Sequence, residues 1–484
     1  MSKTIFEHSS AGRKGATLPR REIDIPLQSI IPADQLREKQ ARLPEVSELD
    51  VMRHYIALSH KNHFIEKGLY PLGSCTMKYN PKVHEALVRD SGFNNLHPYQ
   101  PEATIQGSLE ILYELQEQLA EISGMSKVTL QPVAGAQGEF TGIKIIAAYH
   151  KAKGNHHKTK IIIPDSAHGT NPATCSLVGY EVVELKSNAQ GRCDLEHLKS
   201  IVDDNTAGFM LTNPNTLGLF ETQLEQIAEI IHGVDGLIYM DGANLNALLG
   251  IVQPGKIGFD VMHFNLHKTF ATPHGGGGPG AGPVGVVEKL VPFLPVPMVA
   301  KAGEEYYFDY GHAETSIGKV HTFYGNFAVL LRAYIYIKML GAKGIRQVAE
   351  NALINANYLM ALVKDHYHIQ HLEYCMHEFV ADSSWQKKEF GVNTLDIAKR
   401  LLDKGFHAPT IYFPLIVPEA MMIEPTETES KQSLDSFAAA MLEIAQEIRE
   451  NPEMLHEAPL TTPVRRVDDV RAVKVLDPAF NLGD

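Results

Sequence analysis

Two ionisable residues stand at the ends of apolar runs, where they could act together on one substrate. Lys268 lies in NLHKTFATPHGGGG, between apolar residues and a glycine run, and burial there would make its amine nucleophilic. Asp241 follows the apolar run Leu237–Met240, 27 residues before Lys268, and its carboxylate could pair with a protonated ring nitrogen. Each residue also has an ordinary explanation, because lysines are mostly exposed and aspartates often cap helices or turns.

Two further segments supply what a phosphorylated ring would need. His168 follows the apolar run Lys160–Ile163 and could lie against the face of a ring, although a single histidine is often part of a solvated loop. The small residues Gly135–Gly138 precede an apolar helix, whose first N–H groups could bind a phosphate. The chain order of phosphate loop, histidine, aspartate and lysine predicts an enzyme that uses pyridoxal 5'-phosphate (PLP), with Lys268 carrying the cofactor.

Alternating strands and helices are predicted to position these residues. Ligands of α/β sheets bind at the carboxyl ends of the strands, so the polar residues that follow the strands are the site candidates. An amphipathic helix is predicted at 107–123, with Gly124 as its stop, and another around Leu224–Ile231. Five near-continuous apolar runs predict strands that are buried on both faces: Lys160–Ile163, Tyr180–Leu185, Phe209–Thr212, Leu237–Met240 and Val261–Phe264.

The rest of the chain predicts a second, smaller domain. A long helix at 320–350 would join the two domains. An α+β region would follow, with strands near 368–380 and 411–417 and a helix near 431–448. The expected organisation is an N-terminal arm at 1–60, a large α/β domain at 61–330 and a small C-terminal domain at 331–484.

Composition narrows the class of function. The net charge of −13 argues against a nucleic-acid groove, because phosphate backbones are bound by clustered lysines and arginines. The four cysteines are scattered and include no CxxC pair, which indicates reduced thiols and a cytoplasmic location. No run of 18 or more uncharged apolar residues occurs, so no membrane span is expected.

Two other patterns are less persuasive as functional motifs. Gly275–Gly280 fits GxGxxG, but it follows no strand directly and opens no helix, so we predict a flexible loop that passes close to the cofactor. The cluster His366, His368, His371, Cys375 and His377 matches no standard zinc spacing, and its alternation predicts one face of a strand. We therefore expect no metal site.

Seven segments together resemble the P-protein of the glycine cleavage system, and the resemblance spans nearly the whole chain. A chain of this length with the lysine motif is similar to the separate second (β) subunit of the split enzyme. The segments are YPLGSCTMKYNP (Tyr70–Pro81), NNLHPYQPE (Asn94–Glu102), QPVAGAQGE (Gln131–Glu139), IPDSAHGTNPA (Ile163–Ala173), YMDGANLNA (Tyr239–Ala247), NLHKTFATPHGGGGPG (Asn265–Gly280) and APLTTPVRR (Ala458–Arg466).

The resemblance implies a PLP-dependent fold type I (aspartate-aminotransferase-like) structure and assigns roles to single residues. Lys268 would form the Schiff base, Asp241 would pair with the pyridinium and His168 would stack on the ring. The other cofactor-binding residues would be Ala136, Gln137, Asn244 and His267, and the substrate would lie near Ser74, Cys75 and Thr76. The segment Ser316–Asn326 departs from the pattern, because Lys319 and His321 stand where arginine is more readily expected.

The implied activity is decarboxylation of glycine, with transfer of the aminomethyl group to the lipoyl arm of the H-protein. The implied partners are a homologous first subunit, in a heterotetramer of two plus two, and the lipoylated H-protein, with no nucleic acid or membrane. Another fold type I enzyme, such as an amino-acid decarboxylase or an aminotransferase, would use the same four groups. A non-catalytic scaffold half is a further alternative, against which the intact lysine and aspartate argue.

Overall fold

The computed structural model describes residues 3–20, 22–39, 41–275 and 280–477, and the chain divides into two compact units. One unit comprises Met1–Phe64 with Thr461–Asp484, and the other comprises Ile65–Leu460. In the first unit a helix begins after Ser47, whose side chain forms a reciprocal capping box with Asp50. The second unit contains all the predicted site residues.

The described residues form fifteen α-helices, which we number along the chain. They are α1 (Glu48–Ser59), α2 (Lys82–Val88), α3 (Ser91–Asn94), α4 (Gln106–Ser123), α5 (Gly135–Ala152), α6 (Thr170–Val178), α7 (Leu195–Ile201), α8 (Leu224–His232), α9 (Leu266–Thr269), α10 (Phe327–Val363), α11 (Ser384–Phe390), α12 (Thr394–Asp403), α13 (Lys431–Glu450), α14 (Pro452–Glu457) and α15 (Asp469–Lys474).

Seven strands form the main sheet of the second unit, in the order β1-β7-β6-β5-β4-β2-β3. Strand β7 is antiparallel to both of its neighbours, and the other pairs are parallel. The strands are β1 (Lys127–Thr129), β2 (Lys160–Pro164), β3 (Glu181–Leu185), β4 (Thr206–Thr212), β5 (Leu237–Asp241), β6 (Val261–His263) and β7 (Val284–Val286).

The central strands are buried because their two faces enter two different hydrophobic cores. In β5, Ile238 and Met240 pack into one core, and Leu237 and Tyr239 pack into the other. This explains the continuous apolar runs of the sequence. The chain continues from β2 to β3 on one side and from β4 to β5 on the other. The carboxyl ends of β2 and β4 therefore lie at the switch point where such sheets bind ligands.

The predicted elements of the large sheet are confirmed, and the predicted long helix is displaced. Helix α4 ends at Gly124, which takes the left-handed conformation with φ 69°. The helix predicted at 320–350 is α10 (Phe327–Val363), and Gly341 breaks its regular geometry with φ 61° and ψ −179°. The boundary of the small domain at residue 331 stays a prediction. In the part of the chain that the structure describes, no helix has the length and apolar character needed to cross a membrane.

Two small antiparallel sheets complete the second unit. One is a hairpin of β8 (Met298–Ala302) and β9 (Glu305–Asp309), which the sequence did not predict. The other has the order β10-β12-β11, with β10 (Phe379–Asp382), β11 (Thr410–Ile411) and β12 (Ala420–Ile423).

The strands predicted near 368–380 and 411–417 are wrong in extent. Of residues 368–378, only His368 forms an isolated bridge, to Asp382, so the histidine cluster does not line one face of a strand. The Tyr412 N–H still donates to the Ala420 carbonyl at 2.9 Å. The chain then leaves the sheet, because Tyr412 has φ 57° and Pro414 has no N–H to donate. The apolar residues of this loop led to the wrong prediction of a strand over 411–417.

Candidate active site

The carboxyl ends of the parallel strands open on a cavity of about 190 Å³. Its walls come from the residues that follow β2, β4, β5 and β6, from the first turn of α5 and from the loop that precedes α2. Cys75, Thr76 and Gln137 lie outside this lining. The predicted site residues that line the cavity are Ser74, Ala136, His168, Asp241, Asn244, His267 and Lys268.

Lys268 and His168 reach the cavity from neighbouring parts of the sheet. Lys268 lies on α9, a single helical turn that follows the fully buried strand β6. His168 lies in the loop between β2 and α6, where Thr170 hydrogen-bonds its Nδ1 at 2.8 Å. Burial lowers the pKa of His168, although Asp241 opposes this, so its ring is uncharged. A neutral ring suits stacking on a heterocycle.

Asp241 is a buried carboxylate at the end of β5. It accepts hydrogen bonds from the Ala243 N–H at 2.9 Å and from the Asn171 amide at 3.1 Å, and His263 Nε2 lies 3.5 Å away. Burial alone would raise the pKa of Asp241, but the His263 ring, these hydrogen bonds and Lys268 together lower it. The group is therefore held as an anion, as a partner for a protonated pyridine nitrogen requires.

Glu139 is a cavity residue that the sequence analysis missed. It lies on α5, and its carboxylate accepts hydrogen bonds from the Thr170 hydroxyl at 2.8 Å and the Thr174 hydroxyl at 3.1 Å. Burial and the charge of Asp241 raise the pKa of Glu139 to about 7. Its place in QPVAGAQGE, one helical turn after the first glycine, was the available signal.

The first turn of α5 faces the cavity with its N–H groups uncapped by any side chain. Gly135 and Ala136 line the cavity there. A Cβ atom at Gly138 would lie 2.7 Å from the carbonyl oxygen of Gly282, so only glycine lets the helix approach this closely. A free helix N-terminus on an 18-residue helix is suited to a phosphate.

The Gln137 side chain serves the loop rather than the cavity. Its Oε1 accepts the Val133 N–H at 2.7 Å, and its Nε2 donates to the Val320 carbonyl at 2.7 Å. Only the backbone N–H of Gln137 therefore remains for a phosphate. Near this contact, Lys319 lies over the Tyr99 ring with 4.4 Å between Nζ and the ring centroid, and His321 Nδ1 accepts the Phe323 N–H.

The segment Ser74–Thr76 joins the cavity to the small sheet. Ser74 lines the cavity, while the Thr76 hydroxyl donates to Glu424 Oε1 at 2.6 Å. Burial raises the pKa of the Cys75 thiol, and the charge of Lys268 opposes this rise. Cys75 thus lies within the electrostatic reach of Lys268 but outside the cavity wall.

Asn244 and His267 line the cavity from two sides. Asn244 donates through Nδ2 to the Pro214 carbonyl at 2.9 Å. Burial lowers the pKa of His267 to about 3, so its ring is neutral. The His267 ring meets His274 edge to face, with 5.4 Å between the ring centroids. The glycine run predicted to pass near the cofactor is described only at its ends, and residues 276–279 lie outside the described residues.

Two groups of buried side chains have the donor types that a metal would use. Glu139, Asp241 and His263 form one group, with their ligand atoms within 4.8 Å of one another. The other group is His377, Glu378 and Glu424. Of the histidine cluster of the sequence, His377 alone belongs to such a group among the described residues.

The residues around the cavity fit PLP. Lysine, carboxylate, flat ring and free helix N-terminus all converge on it. Buried polar atoms at its edge are also left without a hydrogen-bond partner in the described chain, which suits a polar ligand. These atoms are Thr212 Oγ1, Asn244 Oδ1, Asn265 Oδ1 and His267 Nδ1.

Comparison with known protein families gives two matches that cover most of the chain. Residues 14–305 match the family described as glycine cleavage system P-protein. Residues 348–460 match the family described as glycine dehydrogenase, C-terminal domain.

Curated relatives match over nearly their whole length. A probable glycine dehydrogenase (decarboxylating) subunit 2 from Chlorobium chlorochromatii is 58% identical over 473 residues, with 98% of each chain covered. A protein of the same description from Bacillus cytotoxicus is 55% identical over 471 residues, covering 97% of this chain and 96% of the relative.

Solved structures share the fold at low sequence identity. An inhibitor-bound glycine decarboxylase (P-protein) of the glycine cleavage system matches with a TM-score of 0.72 and 22% identity, covering 86% of this chain and 94% of that one. Lactobacillus brevis glutamate decarboxylase matches with a TM-score of 0.65 and 14% identity, covering 86% and 97%. The fold is the PLP-dependent fold type I, as predicted.

Proposed function

This chain belongs to the glycine cleavage system P-protein family, and from that premise we propose that its cavity carries out the PLP-dependent decarboxylation of glycine. The observation that carries the proposal is the convergence of Lys268, Asp241 and the free N-terminus of α5 on one cavity. These groups come from three separate segments of the chain. A scaffold protein has no need to bring them together.

Each residue has a definite task in this reaction. When bound, PLP supplies an electron sink for the bond that breaks at the α-carbon of the substrate. Lys268 would hold the aldehyde carbon of the cofactor and yield that position to the substrate amine. Asp241 would keep a proton on the ring nitrogen, since its carboxylate is held as an anion. His168 would cover the ring face, and the N–H groups of α5 would hold the phosphate.

The partners follow from the same assignment. The relatives are described as subunit 2, which implies a subunit 1 in the same system. We propose that the two chains form a heterotetramer of two plus two, in which the companion supplies further residues of the glycine site. The acceptor of the aminomethyl group would be the lipoyl arm of the H-protein. The free state of all four cysteines, Cys75, Cys175, Cys193 and Cys375, supports work in the reducing cytoplasm.

Exchange of labelled bicarbonate into glycine tests the proposal. The assay contains PLP and a lipoylated carrier, with and without the companion subunit. Exchange that requires both chains, and that is lost when Lys268→Ala replaces the wild type, supports the assignment. PLP binding without exchange in either mixture would contradict it. A keto acid formed without the carrier would point to an aminotransferase instead.

A further inference from the structure

Next to the cavity wall lies a group of three ionisable residues whose side chains have no contact with bulk solvent. His377, Glu378 and Glu424 are each 0% exposed at the side chain. His377 Nε2 lies 3.9 Å from Glu378 Oε1 and 3.9 Å from Glu424 Oε1. One carboxylate oxygen of Glu378 lies within 4.8 Å of one carboxylate oxygen of Glu424. Glu378, which directly precedes β10, and Glu424, which directly follows β12, thus form an acid pair.

The acid pair is fixed in place by the loop that precedes α2. Glu378 Oε2 accepts the Ser74 N–H at 2.6 Å, and Glu424 Oε2 accepts the Thr76 N–H at 2.9 Å. Within the described chain, no lysine or arginine nitrogen lies within 4.0 Å of either carboxylate. Both ring nitrogens of His377 lack a hydrogen-bond partner among the same residues. Nothing adjacent therefore neutralises two negative charges.

A buried pair of carboxylates without an adjacent cation keeps at least one proton. Burial raises the pKa of Glu424 to about 7. Burial raises the pKa of Glu378 as well, and the charge of Glu424 raises it further. Burial lowers the pKa of His377 to about 3, so its ring stays neutral and adds no compensating charge. Glu378 is accordingly the member of the pair that holds a proton at neutral pH.

Glu378 is also the residue of the acid pair that contacts the cavity wall. Its Oε1 lies 3.3 Å from the Ser74 hydroxyl and 3.4 Å from the Asn244 amide nitrogen. Ser74 and Asn244 both line the cavity. A protonated Glu378 can therefore donate to the Ser74 hydroxyl, which can pass a proton on to the cavity. The charge of Lys268 lowers the pKa of both carboxylates, so the acid pair lies close to the reacting centre.

The reaction under "Proposed function" needs such a donor, and the present inference rests on that reaction. The methylene carbon keeps the electron pair of the C–C bond when CO2 leaves, and uses it to form a bond to one sulfur of the lipoyl disulfide. The S–S bond breaks, and its electron pair departs with the second sulfur. That sulfur becomes a thiol only by taking one proton. One proton is therefore taken up in this step, which balances the proton that the ammonium group of glycine loses earlier in the turnover.

We propose that Glu378 is the acid that supplies this proton, through the Ser74 hydroxyl, and that Glu424 keeps it protonated between turnovers. The same three side chains could instead hold a divalent cation. The positive charge of Lys268 and the hydrogen bonds already made to both carboxylates argue against the cation.

Infrared difference spectroscopy and transfer kinetics test the two parts separately. The first readout is the C=O stretch of a buried carboxylic acid at neutral pH, which shifts in D2O. We expect the band in the wild type and in Glu221→Gln, which alters another buried glutamate, in the loop before α8. In Glu378→Gln we expect loss of the Glu378 component of the band, while the components of Glu139 and Glu424 remain. Absence of the band in the wild type overturns the inference. A band that Zn²⁺ or Mg²⁺ removes at micromolar concentration would favour the cation.

The second readout is the rate at which the lipoyl thiol forms in a single turnover. We expect Glu378→Gln to slow it about 100-fold or more, as loss of a general acid does. Ser74→Ala should retain the acid band and slow the same step, because it breaks only the relay. Unchanged thiol formation in both variants, with PLP bound normally, overturns the donor role. A wild type that shows the band but releases no CO2 from glycine would overturn the proposed function and the donor role. Only the conclusion that the acid pair holds a proton would then remain.

Discussion

The Ser74 N–H donates a 2.6 Å hydrogen bond to Glu378 Oε2, although 304 positions of the chain separate the two residues. The contact is possible because Ser74 has φ 59° and Thr76 has φ 47°, which turn both N–H groups toward the acid pair. The small sheet extends toward them through a bridge between Leu72 and Ile423. A segment from early in the chain thus reaches the cavity because the small sheet holds it there.

Replacing Lys268 with alanine should abolish covalent attachment of PLP. The amine of Lys268 is the one lysine nitrogen on the cavity wall of the described chain. Borohydride reduction followed by peptide mapping measures the attachment. Lys144→Ala, which changes an exposed lysine of α5, should retain it. A reduced adduct on the same peptide in the Lys268→Ala protein would contradict the assignment.

Replacing Asp241 with asparagine should leave PLP bound but slow decarboxylation by about 10-fold to 100-fold. The substitution removes a charge-assisted hydrogen bond to the ring nitrogen, worth about 1.5–3 kcal/mol. The measurement is the rate of CO2 release at saturating PLP and glycine. Asn171→Ala removes one hydrogen bond to the same carboxylate and keeps the charge, so it should have a smaller effect. Equal rates for Asp241→Asn and wild type would exclude a role for the charge.

The sequence predicted the main sheet and its polar strand ends because both leave local signals. Apolar runs such as Leu237–Met240 mark buried parallel strands, and Asp241 follows directly after one. The acid pair left no such signal. Glu378 and Glu424 flank strands of the small sheet, and only tertiary packing brings them to Ser74 and Thr76. In the same region, loop residues such as Phe413 have the apolar character of a buried strand, so they were predicted as one.

The Gln137 prediction shows the same limit at the level of one side chain. The motif places Gln137 correctly at the start of α5, where the backbone can bind a phosphate. Its side chain, however, is directed by Val320, a residue of a loop 183 positions away. The position of Gln137 in the chain's local structure could be predicted from the motif, and the direction of its side chain, which depends on a long-range contact, could not.

Glu139 should make the PLP-free protein less stable as pH rises from about 4.5 to about 7. The folded state raises the pKa of Glu139 to about 7 from its ordinary 4.5, so the folded protein binds this proton more tightly than the unfolded chain. The stabilisation is present below pH 4.5 and is lost as pH passes 7, by up to roughly 3 kcal/mol. Urea unfolding at several pH values measures it.

The variant Glu139→Gln should reduce this slope by the contribution of Glu139, because the amide does not titrate, while Glu378 and Glu424 keep theirs. Glu117→Gln, at an exposed position on α4, should retain the wild-type slope. Identical pH dependence in the wild type and in Glu139→Gln would show that Glu139 titrates normally.

Replacing Gly242 with alanine should destabilise the protein by about 2–3 kcal/mol and weaken PLP binding. A Cβ atom at Gly242 would lie 1.9 Å from the His263 carbonyl oxygen, so β5 and β6 would have to separate beside Asp241. Thermal unfolding and PLP titration measure the two effects. Gly107→Ala is a matched control, because a Cβ atom there meets nothing within 4 Å and alanine favours the helix. Similar results for the two variants would contradict the close packing.

The buried ion pair of Lys78 and Glu427 should stabilise the GSCTMK segment only while both partners are present. Lys78 Nζ lies 2.7 Å from Glu427 Oε1, and the two side chains are 1% and 7% exposed. Lys78→Met would leave the buried Glu427 charge unpaired, at a cost of about 3–5 kcal/mol. Asn246 would still donate to Glu427 Oε2 at 3.0 Å, which limits the loss.

A double-mutant cycle separates the pair from its surroundings. Lys78→Met with Glu427→Leu removes both charges, so its free energy of unfolding should lie closer to the wild type than that of Lys78→Met alone. Urea unfolding of the four proteins provides the coupling energy. Arg346→Met with Glu350→Leu, at an exposed pair on α10, should couple by less than about 1 kcal/mol. If the effects of Lys78→Met and Glu427→Leu simply add, the two charges are not paired in the folded protein, and another contact must hold this segment beside the cavity.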